Sequence, residues 1–264
     1  MCSTRVSITT WNVWGHETGW ALRAESVCAA LALLSPDVIL LQEVNPGLLA
    51  LLDARLGPLG LVRIEGAEPG WQSESCIYYR TTLFELAAFG LEPDLKMTGD
   101  YFKKRGLFWA RLIVKTNTCA RATLFVATAH LPWVGSAEEV ATGVNQRIAP
   151  CHCINDHLAR LAHDSSSLVF GGDLNEDFHP PRIIAGEGNP LHLAELFQSL
   201  DMPPPITHPV RPSDAFEEAR PDRCIDWLFF RGARPLCAMA KRIRGGAFPP
   251  PSDHLPVVGV FELL

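Results

Sequence analysis

Polar and charged residues of this chain recur where apolar runs end, and their types belong to phosphate and metal chemistry. Asn12 follows the run 6–11, Glu43 follows 38–41, His130 follows 123–129, and Asp173 with Asn175 follows 168–170. Asp226 interrupts a fifth run, 225–230, and Asp253-His254 precedes a sixth, 257–261. A charge at the end of a buried strand is costly unless it is hydrogen-bonded or binds a metal. Carboxylates and an amide oxygen are hard ligands suited to Mg²⁺ or Mn²⁺, and a set without thiolates argues against zinc. A metal against a phosphoryl oxygen neutralises charge, and a carboxylate beside the attacking water can orient it and take its proton. A histidine can stabilise developing charge, or protonate a leaving oxygen, once a second acid fixes its tautomer.

Such residues need a rigid scaffold that brings strand ends to one edge. The runs 6–11 and 38–41 read as buried strands, with a helix over 22–34 between them and another from Pro46, where proline suits the first turn. The middle reads as antiparallel sheet, with strands over 76–79, 83–89, 108–114 and 123–129. Between Glu92 and Gly106 lies a long polar loop carrying Lys103, Lys104 and Arg105. Residues 138–161 read as helical with an interruption near Pro150; strands over 168–170, 225–230 and 257–261 complete the chain, the first two separated by a proline-rich stretch, 203–212. No repeat has a usable period and no linker divides the sequence, so residues 1–264 read as a single domain, although the strand and helix alternation leaves room for a two-sheet pseudo-symmetry.

Bulk composition narrows the partners. The chain has 264 residues, 47% hydrophobic and 20% charged, with a formal net charge of −6. Coating of long duplex by phosphate neutralisation favours a basic protein, so this acidic chain is not built for it; a nucleic-acid end remains open. No stretch approaches the roughly 18 apolar residues of a membrane span. Residues 1–11 lack a basic start followed by an apolar run, so no secretory signal is read. The cysteines at 2, 28, 76, 119, 151, 153, 224 and 237 are then expected as reduced thiols in an intracellular protein, cytoplasmic or nuclear. No obligate protein partner is inferred.

The ordered motifs carry a family resemblance. Thr10-Trp11-Asn12, Leu41-Gln42-Glu43-Val44, Ala129-His130-Leu131, Gly171-Gly172-Asp173-Leu174-Asn175, Ile225-Asp226-Trp227 and Ser252-Asp253-His254 run from residue 10 to residue 254. Together they resemble the motifs of the endonuclease/exonuclease/phosphatase superfamily, and in the first two and the glycine pair they look most like its tyrosyl-DNA phosphodiesterase branch. The resemblance implies an α/β fold, a four-layer sandwich of two packed mixed sheets flanked by helices. It implies a Mg²⁺- or Mn²⁺-dependent phosphodiesterase with Glu43 as principal metal ligand, Asn12 supporting the metal and phosphate, and Asp253 near the metal. Asp173 would orient or deprotonate the water, and Asn175 would donate to the phosphate. His254 would stabilise the transition state, Asp226 would orient His254, and His130 would contact phosphate or assist the leaving group.

Other readings stand beside these. Asn12 can be a turn residue, Glu43 can favour the following helix start, and His130 can be a satisfied core histidine. Cys151-His152-Cys153 with His157 lacks the second pair that a zinc site needs, so reduced cysteines on a helix are the better reading. Asn145-Gln146-Arg147 is similar to a polar helix of the tyrosyl-DNA phosphodiesterase branch. Glu176-Asp177 departs from that branch, which carries an arginine there, and Pro132-Trp133 departs from its polar residues. Trp133 reads equally as a rim side chain that stacks on a base or as a core residue beneath its loop. The substrate expectation is a phosphodiester at a nucleic-acid end or adduct; the alternative is a small phosphorylated molecule or phospholipid head group, which the acidic balance suits at least as well. A non-catalytic binding module is disfavoured because no motif residue is missing.

Overall fold

Two βαβ crossovers explain how this chain brings its polar strand tips together. The computed structural model describes residues 4–15, 20–66, 70–115, 122–209, 223–241 and 251–263. In chain order the strands and α-helices are β1 (Thr4–Asn12), α1 (Trp20–Leu34), β2 (Val38–Gln42), α2 (Pro46–Leu56), β3 (Leu61–Arg63), β4 (Ser75–Arg80), β5 (Phe84–Glu92), β6 (Leu107–Val114), β7 (Thr123–His130), α3 (Ala137–Thr142), α4 (Ile148–Leu161), β8 (Ser167–Asp173), α5 (His179–Ile184), β9 (Ala194–Glu195), β10 (Asp226–Arg231), β11 (Ala233–Ala240) and β12 (Val257–Leu263). They form two six-stranded sheets, ordered β11-β12-β1-β2-β4-β3 and β5-β6-β7-β8-β10-β9. Each sheet centres on a parallel pair, β1 with β2 and β7 with β8, flanked by antiparallel strands. A parallel pair needs a long crossover, here α1 in one sheet and α3 with α4 in the other. The two halves therefore repeat one plan.

Alternation along the strands divides the apolar residues among three layers. Val6, Ile8, Leu40, Leu112, Val126, Val169 and Leu228 fill the space between the sheets. On the outer face of the first sheet, Trp11, Ile39 and Leu41 pack with Val27, Leu31, Leu48 and Leu52 of α1 and α2. On the other side Phe125, Phe170 and Phe229 meet Ile154 and Leu158 of α4 and Ile184 of α5. The result is helix, sheet, sheet, helix, the α/β four-layer sandwich that the family resemblance implied. Residue 172 shows why glycine precedes Asp173: a Cβ there would lie 2.0 Å from the Ala129 carbonyl oxygen. Only glycine lets β7 and β8 approach at that rung, next to the His130–Asp173 rung.

Several sequence expectations need correction. The middle strands are not one antiparallel sheet: β4 pairs with β2 and β3, while β5, β6 and β7 belong to the second sheet. The helical interruption in 138–161 lies before Pro150, where α3 ends on Gly143 at φ 67°. Pro150 instead sits in the first turn of α4, where a missing N–H leaves no gap in the helix. Asn145-Gln146-Arg147 consequently lies between helices. Asp226 opens β10 rather than interrupting it. The 92–106 loop is only partly solvated: its apolar Leu95, Met97 and Phe102 are buried, and so is the charged Arg105. Strands β3, β9 and β11 and helix α5 were not anticipated. The described cysteines are free thiols, and on α4 Cys151 is buried while His152 is exposed, so they do not converge. Cys2, Cys119 and residues 210–212 of the proline-rich stretch lie outside the described residues.

Candidate active site

The C-terminal ends of the two parallel pairs deliver Asn12 and Gln42 from one sheet and His130 and Asp173 from the other. Antiparallel strands enter from the same edge, so Asp226 lies opposite Asp173 in the ladder, and Asp253-His254 precede β12 there. Buried hydrogen bonds lock the two sheets at this end: Gln42 Nε2 donates to Thr128 Oγ1 at 2.8 Å. The Ser252 hydroxyl donates to the Asn12 carbonyl at 2.7 Å, and the Trp11 indole donates to the His254 carbonyl at 3.0 Å. The loop carrying Asp253 and His254 is thereby tied to the tip of β1.

Asn12 stands at the centre. Its Nδ2 donates to Glu43 Oε1 and to Asp173 Oδ2, each at 2.9 Å, while its Oδ1 accepts from the Trp14 backbone N–H. Glu43 Oε2 also accepts from Gly15 N–H at 3.1 Å, and Asp173 Oδ1 accepts from Asn175 N–H at 2.9 Å. His130 Nε2 lies 3.4 Å from Asp173 Oδ2 and 3.8 Å from Glu43 Oε1. His254 reaches the same carboxylate from the other side, with Nε2 3.7 Å from Asp173 Oδ2 and Nδ1 paired with Asp226 Oδ2 at 2.8 Å. Burial favours the neutral ring of His254, but the charges of Asp226 and Asp173 outweigh it and raise its pKa well above the usual imidazole value. Burial also raises the Asp226 carboxyl, which has no exposed surface.

Glu43, His130, Asp173 and His254 line a cavity of about 880 Å³. Asn175 is on its wall, its Nδ2 donating to the Leu131 carbonyl at 2.9 Å. Trp14, Glu43, Glu74 and Asn175 all line it and all have positive φ, between 50° and 58°. Left-handed backbone at non-glycine residues costs free energy and gathers at sites that fix side-chain aim. Trp133 is 42% exposed at the rim, meeting Phe102 and Tyr101 edge to face at 4.8 and 5.6 Å, so it is not a core residue.

The donor chemistry suits a hard divalent cation. Glu43, His130 and Asp173 offer ligand atoms within 4.8 Å of one another, with Asp173 buried and Glu43 partly open to the cavity. Asp253 groups instead with His208 and His254. Two residues absent from the sequence reading matter here. Glu74 faces His130 Nδ1 at 3.0 Å and binds Arg105 at 2.7 Å and Lys104 at 2.8 Å. Burial would raise its carboxyl, but His130, Arg105 and Lys104 hold it well below the ordinary range. His208 places Nε2 3.5 Å from Asp253 Oδ2. Register could have found Glu74, because Ser75 pairs with Gln42 and the preceding residue must reach the same edge.

Two charged features near the cavity are paired within the protein. Arg105 is buried under Glu74, and Lys103 pairs with Asp100, so the loop's basic cluster is internally compensated. Glu176 is buried and binds Arg147 Nε at 2.7 Å, Asn145 and His179.

Comparison with known proteins agrees with this geometry. A family model described as Endonuclease/Exonuclease/phosphatase family matches residues 9–254. Tyrosyl-DNA phosphodiesterase 2 of Danio rerio is 38% identical over 264 residues, covering 98% of this chain and 63% of the relative. The Gallus gallus protein of that name is 26% identical over 275 residues, covering 98% and 67%, and the Rattus norvegicus one 28% identical over 203 residues, covering 76% and 49%. The chain thus spans about half to two thirds of the curated relatives it matches. Among solved structures, D. rerio tyrosyl-DNA phosphodiesterase 2 complexed with a single-strand DNA product superposes with a TM-score of 0.76 at 20% identity, covering 98% of this chain and 99% of that one. The human Nocturnin catalytic domain with bound sulfate gives 0.68 at 16% identity, covering 97% and 94%. With the motifs gathered at one sheet edge and the family match spanning them all, the chain belongs to the Endonuclease/Exonuclease/phosphatase family.

Proposed function

We propose that this chain is a Mg²⁺- or Mn²⁺-dependent phosphodiesterase that hydrolyses a phosphodiester at a nucleic-acid end or adduct, as the names of its relatives suggest. The observation that carries the reading is the pairing of Asp173 with two sets of partners: Asn12 and Glu43 on one side, the His254–Asp226 pair on the other. Glu43, with Asp173 beside it, would hold the cation, and Asn12 would keep their two carboxylates apart and aligned. When bound, the metal supplies Lewis-acid neutralisation of the phosphoryl oxygens.

The remaining chemistry falls to the side chains. Asp173 accepts a proton from the attacking water and aims it in line with the scissile bond. His254, held by Asp226 at Nδ1, presents a protonated Nε2 to the phosphate and stabilises the charge that develops there. Asn175 forms the phosphate wall beside Asp173, and His130, braced by Glu74, assists from the opposite side. Trp133 offers an aromatic face to the first unpaired base. Asp253 supports the His254 loop.

A second reading, a small phosphorylated molecule or phospholipid head group, is favoured by one observation: the loop cations that could follow a strand are paired within the protein. A substrate panel separates the two. Oligonucleotides bearing a terminal tyrosyl ester, oligonucleotides without it, a sphingomyelin dispersion and an inositol phosphate would be assayed with Mg²⁺. Turnover confined to the last two would overturn the nucleic-acid reading.

A further inference from the structure

Beside the oxygen-donor cluster the cavity holds a second set of donors with different chemistry. His208 stands just before the undescribed stretch 210–222, where its backbone N–H bonds to the Arg223 carbonyl at 3.0 Å. Its Nε2 lies 3.5 Å from Asp253 Oδ2, and its ring centroid is 4.6 Å from that of His254. His254 Nε2 is 4.0 Å from Asp253 Oδ1. The ligand atoms of His208, Asp253 and His254 lie within 4.8 Å of one another, and their side chains are 12%, 6% and 7% exposed.

Two imidazoles and a carboxylate form a donor set typical of zinc, which accepts three protein ligands and leaves a fourth position open. Bonds of about 2.1 Å in tetrahedral array separate neighbouring ligand atoms by roughly 3.4 Å, close to the His208–Asp253 separation. A second, independent feature points the same way. A metal-bound histidine usually has its other ring nitrogen held by a carboxylate, which fixes the tautomer and aims the free lone pair. Asp226 does this for His254, binding Nδ1 at 2.8 Å and leaving Nε2 to face Asp173 and Asp253, 3.7 and 4.0 Å away. Asp173, 3.7 Å from that Nε2, adds negative charge that favours a cation.

We propose that His208, Asp253 and His254 form a site for a borderline transition-metal ion, Zn²⁺ or its analogue Co²⁺, separate from the hard-cation position at Glu43 and Asp173. Its occupancy inhibits the enzyme, because the ion takes the His254 Nε2 that must face the scissile phosphate. The inhibition rests on the phosphodiesterase reading; the binding does not. Zinc then acts as a competitor for a histidine, and the Mg²⁺ ligands stay in place.

The test is made on the full chain with Mg²⁺ saturating. Calorimetry with Zn²⁺ and visible absorption with Co²⁺ should report one site, with the intense tetrahedral cobalt bands. His208→Gln should weaken Zn²⁺ binding by at least about tenfold, the smallest loss usual even for outer-shell partners. Zinc inhibition should be relieved by the same factor. Crystals soaked in Zn²⁺ should show anomalous scattering bonded to His208 Nε2 and Asp253, which decides the matter even if the variant fails to fold. Equal affinity in the variant, octahedral cobalt spectra, or a zinc peak on Glu43 and Asp173 would overturn the proposal. Binding is read without substrate, so a failed zinc site leaves the phosphodiesterase reading intact, and absent turnover leaves the zinc site intact.

Discussion

One amide serves two carboxylates at the heart of this cavity, and the histidines on either side depend on acids behind them. Asp226 is wholly buried and its visible function is to hold His254 Nδ1. Asp226→Asn should therefore keep the fold while lowering kcat by about 10²–10⁴-fold, the range for a misoriented acid–base group, and it should alter the pH–rate profile. Circular dichroism with a pH series checks both, and an unchanged profile would separate Asp226 from His254. Glu74 behaves differently because it also neutralises Arg105, whose side chain is 1% exposed. Glu74→Gln leaves that guanidinium buried without a full charge partner, and the loss should be about 3 kcal/mol or more in urea unfolding. The motif acids were legible in the sequence because each borders or interrupts an apolar run. Glu74 and His208 were not, since one is an isolated acid among polar residues and the other sits among prolines; only strand register and loop packing bring them to the site.

At the scale of elements, strand identity was legible wherever a strand is buried on both faces, as in β1, β2, β7 and β8. The edge strand β11 alternates weakly, carries Pro235 and has a register shift there, so its apolar signal is diluted. The segment between α3 and α4 shows how an interior ion pair substitutes for regular structure. Arg147 binds Glu139 and Glu176, and Asn145 donates to the same Glu176 oxygen as Arg147 Nε. Burial pushes the Glu176 carboxyl up, but Asn145, Arg147 and His179 outweigh it and hold its pKa down at about 2. A depressed carboxyl stabilises the fold above its ordinary value of 4.5, and that stabilisation is lost as pH falls toward 2. Glu176→Gln should thus destabilise the protein near neutrality and flatten the acid limb of its stability curve. A variant as acid-sensitive as the parent would show that the contacts around Glu176 contribute little.

Over the whole molecule, the proposed function asks an acidic chain to bind a phosphate substrate locally, through the cavity. The net charge of −6 disfavours coating of a long strand, and the described loop cations Lys103, Lys104 and Arg105 are paired within the protein. Among the described residues, Trp133 at the rim offers an exposed aromatic face that could hold an unpaired nucleotide. Trp133→Ala should raise KM for an oligonucleotide by the equivalent of about 1–3 kcal/mol while sparing a minimal chromogenic phosphodiester. Equal losses on both substrates would make Trp133 a structural support for the Tyr101–Phe102 cluster. The order of strands and helices left room for two sheets and the family resemblance implied the layered sandwich, whereas the assignment of β4 to the first sheet was not legible, because β4 pairs with β2 and β3 and not with β5, the strand that follows it.

The central claim is that Glu43 and Asp173 hold a hard cation against a phosphodiester that Asp173 and His254 help to break. The most direct measurement is single-turnover hydrolysis of a tyrosyl-ended oligonucleotide by metal-free protein, before and after Mg²⁺, in the parent and in Asp173→Asn. The parent should be inactive in chelator and recover fully with Mg²⁺, while the variant should bind the oligonucleotide yet remain slower by orders of magnitude. Full turnover in chelator, or near-parental rates from the variant, would contradict the assignment.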